Sequence, residues 1–163
     1  MLRAILLSLA VLLLGDMPSR VQAPDDASFT KFLAEVEAAQ VQLVNGDPDP
    51  FKSLWSRDDA VTLSGGLGGV IAKGWPQVSE RLNWVATQYA GGSRVHLEIS
   101  RTVGHDLAYV VMRETIRFKG PDGAPVVHEF RVTQVFRREG DRWRIVHRHA
   151  DSQVTKQPTS NKR

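Results

Sequence analysis

The sequence predicts an α+β domain in which three N-terminal helices pack on a curved antiparallel sheet. Apolar residues recur at helical spacing through the first half of the chain, whereas the second half consists of long runs that are typical of strands. Short links separate those runs, which favours an antiparallel meander, and helices segregated from strands indicate the α+β class. With 163 residues, the chain is long enough for one domain with a full-sized core.

Three segments are predicted to be helical. The first begins at a cap supplied by Asp26 or Ser28, carries an amphipathic stripe, and ends at Asn45-Gly46. Asp49-Pro50 has the pattern of a cap followed by proline at the first helical position, so a short second helix is expected there. The third helix begins at Gly74-Trp75-Pro76 and ends before a pair of glycines.

Five segments are predicted to be strands. A short strand covers residues 60–64, and four longer strands cover residues 94–103, 107–118, 126–138 and 142–151. The glycine-rich stretch at 65–69 is interpreted as a flexible turn or bulge. A phosphate-binding loop is excluded there because no Gly-Lys-Ser/Thr follows.

Residues 1–23 have the pattern of a secretory signal peptide. Arg3 precedes an apolar run, and a small-residue cleavage site ends at Ala23. The run is shorter than the roughly 20 residues needed to span a bilayer, so no stable membrane anchor is expected after cleavage. A secreted or periplasmic protein is therefore predicted, with a cytoplasmic one as the alternative if translation starts at Met17. The domain is expected to span 24–153, followed by a disordered tail at 154–163.

Composition excludes several classes of function. The chain has no cysteine, so disulfides and thiol nucleophiles are excluded. Its formal net charge of +3 is too mild to indicate nucleic-acid binding. No Gly-x-Ser-x-Gly motif supports a serine nucleophile, and no motif indicates a cofactor, so none is predicted.

The last predicted strand carries a row of functional side chains. Because strand side chains alternate, Trp143, Ile145, His147, His149 and Asp151 should share one face. If the hairpin turns at Gly140-Asp141, the preceding strand places Gln134 opposite His147 and Phe136 opposite Ile145. The opposite face then carries four arginines, and this face is expected to point outward since burying guanidinium groups is costly. The outward arginines are Arg131, Arg137, Arg144 and Arg148.

Glu114 is the most unusual inward residue, because its strand neighbours on that face are apolar. Burial would raise its pKa toward the range of a general acid or base. The alternative is an ion pair with Arg81, Arg113 or another arginine at the sheet edge. The spacing of His147 and His149 would also suit two metal ligands, but this pattern is weak alone and no metal site is predicted.

The order of elements resembles the SnoaL-like, or nuclear transport factor 2-like, cone-shaped domain over residues 28–152. The resemblance rests on the segment from Phe51 to Leu63, on Gly74-Trp75, and on the closing segment from Arg131 to His149. That last segment is also similar to the final strands of the association domain of calcium/calmodulin-dependent protein kinase. The resemblance implies the fold, whereas members of this superfamily include isomerases, cyclases, hydrolases and proteins that only bind or assemble.

Three functions are compatible with these patterns. The first is an exported protein that binds a small apolar or weakly polar molecule in a pocket with Gln134, His147 and Glu114. Its predicted ligand-binding residues are Trp55, Met112, Gln134, Phe136, Trp143 and His149. The second is an isomerase, cyclase or hydratase with Glu114 or Asp58 as base and His147 as polariser. The third is an assembly module, a homodimer formed through the sheet.

Overall fold

The computed structural model describes residues 24–152 apart from Ala90. The predicted signal peptide and tail lie outside the described residues. The elements in chain order are α1 (Pro24–Val44), α2 (Asp49–Ser53), β1 (Thr62–Ser64), β2 (Ala72–Lys73), α3 (Trp75–Thr87), β3 (Ser93–Val103), β4 (Leu107–Lys119), β5 (Pro125–Glu139) and β6 (Arg142–Ser152). The α+β class is therefore confirmed.

The three helices do not form one N-terminal block ahead of the sheet. Helix α1 and the five-residue α2 lead the chain, whereas β1 and β2 precede α3. Helix α3 begins after Gly74, whose φ of 79° suits glycine, and proline occupies its first turn. No helix within the described part of the chain is long and apolar enough to cross a membrane.

One six-stranded sheet has the order β2-β1-β6-β5-β4-β3. Strands β3 to β6 form the predicted antiparallel meander. Strand β1 instead pairs in parallel with β6, and the two-residue β2 pairs with β1. Two residues are too few to show the alternation by which a strand is recognised in a sequence, so β2 was not predicted.

Aromatic residues fill the closed end of the cone, where α1 and α2 cover the sheet. The Phe29 ring lies 5.1 Å from the Phe136 ring and 5.2 Å from the Trp143 ring, both edge to face. Phe51 of α2 contacts Trp55 in the same manner at 6.1 Å. All five side chains are at most 3% exposed, so this end of the concave surface is core.

A β-bulge at Val146 changes which side chains of β6 face inward. Near the turn, Phe136 pairs with Ile145, as predicted. Beyond Val146 the register shifts by one residue, so Gln134 pairs with Arg148 rather than with His147. Because strand side chains alternate, one extra residue reverses the face of every residue that follows. The predicted inward placement of His147 is therefore wrong, and Arg148 points inward instead.

The outer face of the hairpin carries Arg131, Arg137 and Arg144, as the sequence predicted. Arg137 and Arg144 are cross-strand neighbours, which would repel without an acidic partner. Arg137 Nη2 donates to Asp58 Oδ2 at 3.0 Å and to Glu139 Oε1 at 2.5 Å. These two carboxylates offset the repulsion at this end of the sheet.

Candidate functional site

A cavity of about 60 Å³ lies between α1, α3, the 65–67 loop and the concave face of the sheet. A buried water needs about 10–15 Å³ by this measure, so the cavity has room for about four to six water-sized groups. Its apolar walls include Leu43, Leu63, Leu82, Ile116 and Phe130. Its polar lining residues are Gln40, Arg81, Tyr89, Arg94, Glu114 and Arg148.

An Arg-Glu-Arg cluster forms the polar wall of this cavity. Arg94 Nη2 donates to Glu114 Oε2 at 3.0 Å, and Arg148 Nη2 lies 3.1 Å and 3.0 Å from Oε1 and Oε2. The side chains of Arg94, Arg148 and Glu114 are 2%, 11% and 3% exposed. One carboxylate thus holds two buried guanidinium groups.

Three strands bring this cluster together. Strand β4 turns Glu114 inward among apolar neighbours, as predicted, and β3 places Arg94 on the same face opposite Ile116. The bulge at Val146 turns Arg148 inward from β6. The cluster therefore depends on the register of the three pairings that join β3, β4, β5 and β6.

Glu114 is ionised in this setting. Burial raises its pKa, but the charges of Arg148 and Arg94 and their hydrogen bonds act against burial, so the pKa is lowered overall. The expectation of a raised pKa is wrong. The alternative, that Glu114 forms an ion pair with arginine, is confirmed. Its partners are Arg94 and Arg148, and not Arg81 or Arg113.

The cavity has an excess of positive charge. Arg81, Arg94 and Arg148 line it together with one carboxylate, which gives a formal charge of +2. Arg94 Nε and Arg148 Nη1 are buried donors that have no hydrogen-bond partner among the described residues. A buried donor without a partner costs about 1–3 kcal/mol, more when it is charged. An acceptor placed in the cavity would remove that cost.

Tyr89 adds a neutral donor to the same lining. Burial, together with the charge of Glu114, raises the pKa of its hydroxyl to about 12. The hydroxyl therefore stays protonated at neutral pH and can donate a hydrogen bond to an anion.

The glycine stretch at 65–69 forms the cavity's outer wall around two large side chains. A Cβ at Gly65 or Gly69 would lie 3.2 Å or 3.1 Å from the Arg81 guanidinium, and one at Gly66 would lie 2.5 Å from Phe130. Arg81 Nη2 donates to the Gly68 carbonyl, which fixes the loop against α3. These glycines allow Arg81 and Phe130 to approach the loop backbone closely, and this packing accounts for them without a bound phosphate.

The structure does not bring the predicted catalytic residues together. Glu114 lines the cavity, but exposed Asp58 is bound to Arg137 at 3.0 Å, where hydrogen bonds from the Ala60 N–H and Arg137 lower its pKa. His147 lies on the outer face, where its Nδ1 is 2.7 Å from Thr62 Oγ1. Burial and the charge of His149 lower the pKa of His147.

The predicted ligand-binding residues do not line the cavity either. Five of them lie in the core, with exposed fractions of 0–3%: Trp55, Met112, Gln134, Phe136 and Trp143. His149 is exposed on the outer face because it follows the bulge. The aromatic residues of α1 and α2 fill the end of the cone where the sequence placed a pocket. The cavity lies beside this aromatic core, and Phe51 of α2 lines it.

Two arginines of the cluster were missed for different reasons. The pattern of β3 contains the signal for Arg94, since pairing that strand with β4 places Arg94 beside the inward row of Glu114. Arg148 had no such signal, because strict alternation places it outward. Within residues 24–152 there is no group of three or more His, Asp or Glu side chains that could hold a metal ion.

A family model described as a SnoaL-like domain matches residues 34–154, which is most of the chain. The chain belongs to the SnoaL-like domain family. No curated protein matches this SnoaL-like chain.

Solved structures of similar fold come from several organisms. A putative dehydratase of the NTF2-like family from Streptomyces avermitilis is 20% identical, with a TM-score of 0.68 over 80% of this chain and 99% of that one. A putative calcium/calmodulin-dependent protein kinase type II association domain from Thiobacillus denitrificans is 22% identical, with a TM-score of 0.64 over 77% and 94%. A Caulobacter vibrioides protein with a cystatin-like fold is 18% identical, with a TM-score of 0.61 over 77% and 89%. At these identities the likeness shows the fold alone.

Proposed function

We propose that this SnoaL-like protein binds a small organic anion, a carboxylate joined to a compact apolar group, in the cavity beside Glu114. The observation that carries the proposal is the pair of buried, unpartnered guanidinium donors, Arg94 Nε and Arg148 Nη1, in a cavity of formal charge +2. Hydrogen bonds between a guanidinium group and a carboxylate are roughly twice as strong as neutral ones. The charge favours an anion over the apolar or weakly polar ligand that the sequence suggested.

The rest of the cavity suits the apolar part of such a ligand. Leu43, Leu82 and Phe130 contribute apolar walls away from the arginines. Burial of each methylene group stabilises a complex by about 0.8 kcal/mol. A carboxylate with three or four carbon atoms matches the volume of about 60 Å³.

Binding is favoured over turnover by the state of Glu114. A general base needs a pKa near the working pH, whereas the pKa of Glu114 is lowered and both of its oxygens accept bonds from Arg148. His147, the predicted polariser, lies on the other face of the sheet. Among the described residues that line the cavity, Glu114 is the one carboxylate, and its lowered pKa makes it a weak proton acceptor.

Isothermal titration calorimetry with matched acids and amides tests this proposal. The probes are propionate and butyrate, with propionamide and butyramide as neutral counterparts of the same shape. We expect each acid to bind at least tenfold more tightly than its amide, because only the acid gains a charge-assisted bond. Equal affinities for acid and amide would contradict the proposal.

A pair of arginine variants locates the binding. Arg148→Met removes the guanidinium group that faces the cavity, whereas Arg113→Met removes an exposed one on the outer face of β4. We expect the acid preference to disappear in Arg148→Met and to persist in Arg113→Met. An acid preference that survives Arg148→Met would place the anion elsewhere.

We also propose that the protein is exported, as the composition of residues 1–23 supports. Fractionation of a C-terminally tagged full-length chain should recover it outside the cytoplasm. A version that starts at Met17 should remain in the cytoplasm. Cytoplasmic recovery of both versions would contradict export.

The outer sheet face supports a further proposal, that two copies pair through it. Large apolar side chains are exposed on β3 to β5, at 53–58%: Val95, Leu97, Ile99, Leu107 and Val127. Three kinase association domains, two of them putative, are among the structures of similar fold. Analytical ultracentrifugation should show a dimer that Leu97→Glu converts to monomer, whereas Val41→Glu on α1 leaves it intact. A wild-type monomer at high protein concentration would contradict this proposal.

A further inference from the structure

A second, larger concavity lies directly outside the cavity. This outer groove has a volume of about 430 Å³ and is lined by Val70, Ala72, Gln77, Glu80, Arg81 and Trp84. Arg81 lines both the inner cavity and the outer groove, so its side chain borders both spaces.

Few contacts hold the Arg81 side chain in place. The Arg81 guanidinium donates to the Gly68 carbonyl and stacks on Trp84 with its Cζ atom 4.4 Å from the ring centroid. Its Nε has no hydrogen-bond partner among the described residues. One hydrogen bond and one surface cation–π contact thus hold the guanidinium group, so a ligand that binds here can displace it by rotating the side chain.

The charges of the two spaces differ, and the difference orients a ligand. The inner cavity carries a formal charge of +2, whereas in the outer groove the carboxylate of Glu80 offsets Arg81. An anionic head is therefore attracted more strongly to the inner cavity than to the groove. The groove also presents apolar surface, since Val70 is 84% exposed and Trp84 is 41% exposed.

We propose that the ligand is an unbranched medium-chain carboxylic acid whose head binds Arg94 and Arg148 and whose tail passes Arg81 into the outer groove. This inference rests on the proposed anion site and adds the class of the ligand. The inner cavity holds the carboxylate and the first few carbon atoms, and the remaining carbons contact Val70 and Trp84. A tail in the groove covers apolar surface that is otherwise in water.

A series of carboxylates of increasing chain length tests whether the tail binds in the groove. Butyrate, hexanoate, octanoate and decanoate are titrated into the purified protein by calorimetry. We expect the dissociation constant to fall about three- to fourfold for each methylene beyond hexanoate, as burial of a methylene group implies. A dissociation constant that stays flat or rises beyond hexanoate overturns the proposal.

Two neighbouring variants localise the tail. Val70→Asp places a charge in the groove, whereas Ile71→Asp places it on a side chain that is 64% exposed and does not line the groove. Both changes are on the surface and leave the core intact. We expect Val70→Asp to abolish the gain with chain length, while Ile71→Asp retains the gain. A gain that survives Val70→Asp overturns the placement of the tail.

Tryptophan fluorescence supplies an independent readout. Octanoate should change the emission of wild-type protein because its tail contacts Trp84, whereas butyrate should leave the emission unchanged. The octanoate signal should be lost in Trp84→Phe, and its persistence there would contradict the contact. If butyrate and butyramide bind equally, the anion site itself fails, whereas tight butyrate binding without a chain-length gain refutes only the tail.

Discussion

Glu114→Gln should weaken the fold and strengthen anion binding at the same time. The substitution keeps the shape of the side chain but removes the counter-charge of Arg94 and Arg148, which lie 3.0 Å from its carboxylate oxygens. Breaking a buried ion pair by removal of one partner costs about 3–5 kcal/mol, because the remaining charge stays buried. We therefore expect the free energy of unfolding to fall by about that amount in the absence of ligand.

The same change removes a repulsion between Glu114 and the proposed ligand. A carboxylate bound to Arg148 Nη1 would lie about 5 Å from the Glu114 carboxylate, given ordinary hydrogen-bond lengths. Two like charges at that distance repel by about 3 kcal/mol at an effective dielectric constant of about 20. Removal of this repulsion should tighten butyrate binding by up to about 10²-fold.

The assay is urea denaturation with and without butyrate, combined with calorimetric titration of the folded variant. Butyrate should raise the denaturation midpoint of Glu114→Gln more than that of the wild type, by mass action. Glu129→Gln, an exposed change on the outer face of β5, serves as the control. Unchanged stability in Glu114→Gln, or weaker butyrate binding, would refute the reasoning.

Four further outcomes follow from the same structure. His147→Ala should leave butyrate affinity unchanged because the bulge turns His147 outward, and a loss of binding in calorimetry would mean that it faces the cavity. Gly66→Ala should lower the free energy of unfolding by about 1–3 kcal/mol, because the new Cβ would lie 2.5 Å from the Phe130 ring. An unchanged urea midpoint would show that the ring moves freely. The pKa of His147 is lowered in the folded protein, so the unfolded chain takes up a proton at higher pH than the folded one. The free energy of unfolding should therefore fall as the pH drops through about 6.5. Urea titrations of His147→Gln should show a smaller dependence of stability on pH. For Glu114 the lowered pKa means that stability is present above about 4.5 and lost as pH falls further, and Glu114→Gln should lack this acid loss.

Much of the fold could be predicted because local patterns agree with the final packing. The four long strands and the turn at Gly140-Asp141 match the structure within one or two residues, since alternation and turn residues mark them clearly. The inward placement of Glu114 followed from the same alternation. The parallel pairing of β1 with β6 was not predicted, because it joins segments that are distant in the sequence.

Most of the candidate site could not be predicted from the sequence, chiefly because of the β-bulge in β6. A single extra residue, Val146, reverses the faces of the following residues, and a β-bulge leaves no mark in the hydrophobic pattern. His147 and His149 therefore face outward and Arg148 faces inward, the reverse of what strict alternation predicts. The location of the cavity depends in turn on which end of the cone Phe29 and its neighbours fill, a question of tertiary packing.

The central claim is that a carboxylate binds the buried guanidinium groups beside Glu114, and arginine side-chain NMR tests it most directly. The Nε–H resonance of Arg94, assigned through Arg94→Lys, reports on a donor that has no protein partner among the described residues. Butyrate should shift this resonance downfield through a new hydrogen bond, whereas butyramide and the exposed Arg113 should show no comparable change. An Arg94 resonance that stays in place while butyrate saturates the protein would contradict the account.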